Sequence, residues 1–229
     1  MKSRLLIIGC LPLVLLAAYA ATSLTKKTVE ERVKQYGPAA RARLEPHFKK
    51  AAVPYPPTRL VLVGIKDERR VELHAAGTDG RLRFVRYYRV LGASGELGPK
   101  LREGDRQVPE GIYPIESLNP NSRFHLSLRV GYPNAFDRAK GQLDGRDRLG
   151  GDIMIHGSNI SIGCLAMGDE AAEDLFVLAA DTGIKNITVF LTPVDFRRGK
   201  SVPKDARVPA WTAGLYSQIQ TNLAVVPTP

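Results

Sequence analysis

The chain predicts a mainly β domain with long loops and a few helices at its margins. Short runs of β-branched and aromatic residues recur between residues 60 and 191. Clusters rich in Gly, Pro, Asp and Asn separate them. Helical spacing is confined to the segments before residue 53, around 171–180 and after 210. With 229 residues there is room for one domain with additions. The chain is 44% hydrophobic and 24% charged, ordinary globular values that argue against wholesale disorder or a polytopic membrane protein.

The first segment speaks of compartment. Lys2 and Arg4 precede an almost unbroken apolar run, Leu5 to Ala18, and Ala18-Tyr19-Ala20 has the small-x-small form of a cleavage site. Residues 1–20 read as a secretory signal peptide or, if uncleaved, a membrane anchor. The chain is expected to be exported, touching a membrane only through this segment. Ile7-Ile8-Gly9-Cys10 lies too near the start, inside the apolar run, for a lipidation box. The formal charge of +10 suits nucleic acid, an anionic membrane or an anionic polymer. Export, and the lack of a regular basic face with interleaved aromatics, argue against nucleic acid. Arg81, Arg83, Arg86 and Arg89 are read as solvating one face.

Residues 21–57 form a helical extension and a Pro-rich connector. Leu44, Phe48 and Ala51 recur at helical spacing, Pro38 suits a first helical turn, and Pro46 is expected to weaken or kink the helix. Tyr55-Pro56-Pro57 ends the segment. The main domain is placed at 58–193. Leu60 to Ile65 is a buried-strand run, Arg70 to His74 alternates, and Leu82 to Leu91 is rich in β-formers, so the three predict an antiparallel meander. Further strands are expected at 111–115, 125–130, 152–156 and 186–191, with long loops at 92–111 and 144–151. Asp169 is read as the cap of a helix over 171–180 that ends at Asp181-Thr182-Gly183. The extension 194–229 carries Trp211, Leu215, Tyr216 and Ile219 at helical spacing, a packing face. His74 and His125 lie in strand patterns and read as structural.

Loss of residues 1–20 leaves one cysteine, Cys164. A lone thiol in an oxidising compartment is a buried spectator, an intermolecular bridge or a reactive nucleophile. Its surroundings are informative. A strand ends at His156, seven residues rich in Gly and Ser turn the chain back, and Cys164 follows. A thiol is a poor nucleophile until deprotonated, and a nearby imidazole can take the proton. His156 is thus the candidate base and acid. A carbonyl or hydroxyl near Ser161 is expected to orient its second nitrogen. Amides around Gly163 and Cys164 are expected to stabilise an oxyanion. Gly157 and Ser158, small residues in the turn, leave room for substrate beside the sulfur. The alternative is a His that ends a strand beside a buried thiol. One Cys and one His fall short of the usual structural zinc ligands, so no metal is expected. Gly92-x-x-Gly95-x-x-Gly98-Pro99-Lys100 lacks a Gly-Lys-Ser/Thr ending, which argues against nucleotide binding.

The motif His156-Gly157-x-x-x-Ser161-x-Gly163-Cys164 resembles the active-site signature of YkuD-type L,D-transpeptidase catalytic domains. Gly98-Pro99-Lys100, Gly104-Asp105 and Pro109-Glu110-Gly111-x-Tyr113 are similar to further family motifs, with Val108 where Thr is common. Pro54 to Pro57, Gly131 to Arg138 and Ser161 to Met167 resemble the YafK-like branch in particular. Ala166 stands where many members carry Arg, and the interval from His156 to Cys164 is short. The resemblance implies the family's mostly β catalytic fold in the periplasm or cell envelope. It also implies an acyl-enzyme mechanism on peptidoglycan stem peptides without a cofactor. Crosslink formation and hydrolysis, including release of a wall-linked lipoprotein, share that intermediate; a non-catalytic envelope-binding module is the third reading. Lys100, Asn134, Asp137 and Arg138 are candidates for shaping the groove or holding anionic substrate groups. Their alternative is loop architecture, since Asn and Asp cap turns and Arg pairs with Asp.

Overall fold

The computed structural model describes residues 26–203 and 208–229. The expected signal segment, and Cys10 within it, lie outside the described residues. Eight strands form one sheet in the order β3-β2-β1-β8-β4-β5-β6-β7. Their ranges are β1 Arg59–Ile65, β2 Arg70–Ala76, β3 Leu82–Arg89, β4 Gly111–Ser122, β5 His125–Val130, β6 Met154–His156, β7 Leu165–Ala166 and β8 Ile187–Thr192. The expected meander is present: β1–β2 and β2–β3 are antiparallel. The last long strand returns to the middle of the sheet, parallel to β1 and antiparallel to β4.

β1 explains how both faces are covered. Leu60 and Leu62 enter one buried cluster with Leu44, Phe48, Leu175 and Phe176. Val61, Val63 and Ile65 enter a second with Phe190, Leu215, Ile219 and Leu223. Alternate side chains of a strand point to opposite faces, so a continuous apolar run is what a doubly covered strand requires. Helices α1 (Val29–Lys50) and α3 (Asp169–Thr182) contribute to the first cluster, and α4 (Thr212–Leu223) to the second.

Three helical expectations change. α1 is one helix that contains both Pro38 and Pro46, so Pro38 lies mid-helix and not in the first turn. Thr28 and Glu31 form a reciprocal capping box at its start. Buried Ala40, Leu44 and Phe48, with the Arg41–Asp181 and Arg43–Asp174 ion pairs, hold it where two amide donors are missing. The N-cap of α3 is Gly168, and Asp169 is its first helical residue. Helix α2 (Ala135–Leu143) was not expected; a capping box between Asn134 and Asp137 starts it.

The C-terminal extension is tied to the sheet by buried charge. Glu72 accepts hydrogen bonds from His74 Nε2 at 3.0 Å, Arg197 Nη2 at 2.7 Å and Arg70 Nη2 at 2.7 Å. Arg197 also pairs with Asp195 at 2.8 Å and donates to the Pro227 carbonyl at 3.0 Å. Burial raises the Glu72 pKa, but the bonds from His74 and Arg197 outweigh it and hold the carboxyl at about 2. A depressed folded-state pKa adds stability above the ordinary value of 4.5 that drains away as pH falls toward 2. Urea unfolding at pH 6 and pH 3 is expected to show a smaller acid loss in Glu72→Gln than in the wild type. An equal loss in both would remove Glu72 from the acid response.

Candidate active site

β6 and β7 run parallel, with Ile155 beside Leu165 and His156 beside Ala166. That register sets Cys164 next to Met154, and the Met154 amide donates to Cys164 Sγ at 3.4 Å. The thiol in turn faces the Asp152 carbonyl at 3.5 Å. Cys164 thus precedes β7, the strand beside the one that ends at His156. Cys164 keeps partial exposure, whereas His156 is 2% exposed.

His156 Nδ1 lies 2.6 Å from the Gly157 carbonyl. A carbonyl only accepts, so Nδ1 carries the proton and Nε2 holds the lone pair. The orienting group is therefore the Gly157 carbonyl, not Ser161. Ser161 Oγ instead donates to the Cys164 carbonyl at 2.7 Å and accepts from the Cys164 amide at 2.9 Å. The expected oxyanion donors change as well. The Gly163 amide is bonded to Ser94 Oγ at 2.8 Å and the Cys164 amide to Ser161, so both donors are engaged at rest.

Among the described residues no hydrogen bond joins Cys164 Sγ to His156. Burial pushes the thiol above its ordinary pKa; the Met154 amide opposes this, the Asp152 charge adds to it and Lys100 opposes it. Burial also pushes His156 down, partly offset by the Gly157 bond. Both shifts favour the neutral form of the group concerned.

The four groove candidates have structural partners. Lys100 Nζ is buried against Asp105 Oδ1 at 2.5 Å and the Arg102 carbonyl at 2.8 Å. Asn134 and Asp137 cap α2, and Asn134 Nδ2 donates to the Ile112 carbonyl at 3.0 Å. Arg138 donates to the Pro133 carbonyl. Loop architecture accounts for these contacts, as the alternative reading allowed. Gly157 is required by close packing: a Cβ there would meet Asp169 Oδ1 at 2.5 Å and the Phe124 carbonyl at 2.8 Å. Ser158 adopts a left-handed φ of 62°, and its amide donates to Asp169 Oδ1 at 2.7 Å.

Residues the sequence did not reveal support the turn. Asp169, at the start of α3, anchors Ser158 and thereby the Gly157 carbonyl that orients the imidazole. Ser94 joins Gly163 to the Arg106 carbonyl, which its hydroxyl reaches at 2.7 Å. Asp152, in a left-handed conformation with φ of 55°, aims its carbonyl at the thiol. An acid at a helix start was visible in the sequence, but its partner across the turn was not. Among the described residues no group of three or more His, Cys, Asp or Glu side chains is placed to hold a metal ion.

A model of the YkuD L,D-transpeptidase catalytic domain matches residues 58–194, and the chain belongs to that family. Its fold is built on one eight-stranded sheet with helices packed against it. YafK of Escherichia coli (strain K12), which carries the same family name, is 37% identical over 113 residues, covering 48% of this chain. The match spans 43% of YafK, so less than half the length of that curated relative is represented. The crystal structure of the helical cell shape determining protein Pgp2 from Campylobacter jejuni is 22% identical, with a TM-score of 0.48, over 60% of this chain and 48% of that one. Bd1075 of Bdellovibrio bacteriovorus is 16% identical, with a TM-score of 0.43, over 73% and 55% of the respective chains. Among the described residues no helix is long and apolar enough to cross a membrane.

Proposed function

We propose that the chain is an exported L,D-transpeptidase that acts on peptidoglycan stem peptides through a thioester on Cys164. The observation that supports this reading is the tautomer of His156: the Gly157 carbonyl holds the Nδ1 proton and leaves the lone pair on Nε2, in the strand beside the one that follows Cys164. For attack, Sγ leaves the Asp152 carbonyl and comes within reach of Nε2. As sulfur attacks the substrate carbonyl carbon, its proton passes to Nε2 and the carbonyl electron pair moves to oxygen. Collapse breaks the C–N bond, and Nε2–H protonates the departing amine of the terminal D-residue. The acyl group is then held as a thioester. An acceptor amine attacks it, Nε2 takes the amine proton, and the thiol is regenerated with a new crosslink. Water in place of the amine gives hydrolysis, and release of a wall-linked lipoprotein is the hydrolytic form of the same step.

The test is mass spectrometry of tetrapeptide muropeptides incubated with wild type and Cys164→Ala. Crosslinked dimers from wild type alone are expected. Shortened or released peptides without dimers would move the reading to a hydrolase with the same nucleophile. Identical profiles from both proteins would leave an envelope-binding module.

A further inference from the structure

The β4–β5 hairpin places an aromatic ring against the imidazole. Phe124 and His156 stack with ring centroids 4.8 Å apart and planes inclined by 29°. Phe124 is 39% exposed, so its ring forms part of the wall between the buried imidazole and solvent. The turn that carries it is unusual. His125 adopts φ of 73°, a left-handed conformation that an L side chain takes at a cost. Its surroundings hold it there: His125 Nε2 lies 3.0 Å from Glu173 Oε1 on α3, and its ring meets the Tyr36 ring of α1 at 5.0 Å. α1 and the residue before its cap grip the same hairpin at two more points. Arg32 Nε donates to the Pro120 carbonyl at 2.9 Å, and Lys27 and Asn121 exchange bonds of 2.8 and 2.7 Å.

We infer that Phe124 is a positioning residue for the His156 imidazole, and that α1 holds it in place through Tyr36 and Arg32. The inference rests on the reading of His156 as the base. A single bond to Gly157 fixes one edge of the imidazole but leaves the ring free to tilt about its side-chain torsion. A ring stacked on its face removes that freedom and fixes where Nε2 points. The groups set against the imidazole are the Gly157 carbonyl and the Phe124 ring, with the Asp169 carboxylate on the adjoining Ser158 amide and the His125–Glu173 pair on the hairpin side. The extension preceding the catalytic domain thereby gains a role in the site.

The experiment uses the full chain and follows the His156 imidazole titration by NMR together with kcat and KM on muropeptide. In Phe124→Ala the ring is newly hydrated, so its titration is expected to move up toward the ordinary histidine value of about 6.5. kcat is expected to fall about two- to tenfold with KM little changed. Phe124→Tyr is expected to restore both, and Tyr36→Ala to move both in the same direction by less. Should Phe124→Ala fail to fold, Phe124→Leu serves the same comparison. An unmoved titration and kcat in the folded variant would overturn the inference, as would a tyrosine variant as impaired as alanine. Wild-type behaviour of Tyr36→Ala would overturn the part given to α1. A shifted titration with turnover insensitive to His156→Gln would leave the stacking intact and refute the assignment of His156 as base.

Discussion

Replacing His156 with glutamine is expected to lower kcat/KM for acyl transfer by on the order of 10²–10⁴. Glutamine has comparable reach and can still donate to the Gly157 carbonyl, so the turn should persist. It cannot take a proton from sulfur or return one to the leaving amine. Because the resting thiol is neutral and pushed above its ordinary pKa by burial, little thiolate is present to act unaided near pH 7. Iodoacetamide alkylation of Cys164 adds a readout free of substrate. The wild-type rate is expected to climb with pH beyond the range of an ordinary thiol. His156→Gln should slow alkylation at neutral pH while keeping the alkaline rise, since burial sets the thiol pKa in both. Muropeptide turnover within about threefold of wild type would remove His156 from proton transfer. An alkylation plateau reached near pH 6 would instead reveal a standing thiolate, contrary to the geometry of Sγ.

Glu110→Ala is expected to destabilise the fold by about 3–5 kcal/mol. Glu110 is fully enclosed and accepts from Lys66 Nζ at 2.9 Å, the Gly98 amide at 2.7 Å and the Tyr216 hydroxyl at 2.8 Å. Lys66 also donates to the carbonyls of Gly98 and Val108. The pair thus pins the loop that carries Ser94 to β1, and links it to α4. Alanine leaves the Lys66 ammonium buried without its counter-charge. Burial already lowers the Lys66 pKa, opposed by Glu110, so loss of Glu110 lowers it further. A lysine whose folded-state pKa is depressed penalises the fold while charged, and the penalty eases as pH rises through that pKa. Urea unfolding should therefore show a larger defect at pH 7 than at pH 9.5. Replacing both partners with apolar residues of similar volume should recover much of the loss. A defect below about 1 kcal/mol at pH 7 would mean that water reaches the pair and screens it.

The strands were legible because their signal is local. β1, β2, β3, β5 and β8 follow runs of β-formers, although the alternation read in β2 is lost because both its faces are buried. α1 was legible as a helix but not in its detail, since Pro46 and Pro38 argue locally against the continuity that packing against the sheet and α3 enforces. α2 was hidden because Asn134 and Asp137 read equally well as a turn, a groove or a cap, and only the capping geometry chooses. Cys164 and His156 were visible together because eight residues bound their separation. The partners of Ser161, Gly163, Lys100 and Arg138 were not, because each depends on segments brought together by folding.

The amino-acid sequence by itself determined the class of fold, the meander of its first three strands, the short interval between His156 and Cys164, and the family. These properties rest on periodicity and short spacing, which survive in any arrangement of the rest of the chain. Tertiary structure alone decided which carbonyl fixes the imidazole tautomer, which hydroxyls occupy the amides beside the sulfur, and that burial shifts thiol and ring toward their neutral forms. Those outcomes follow from burial and from contacts between distant segments: Ser94 to Gly163, Phe124 to His156 and Asp169 to Ser158. Desolvation and hydrogen-bond geometry depend on the assembled surroundings of a group, and no local pattern of residues encodes them.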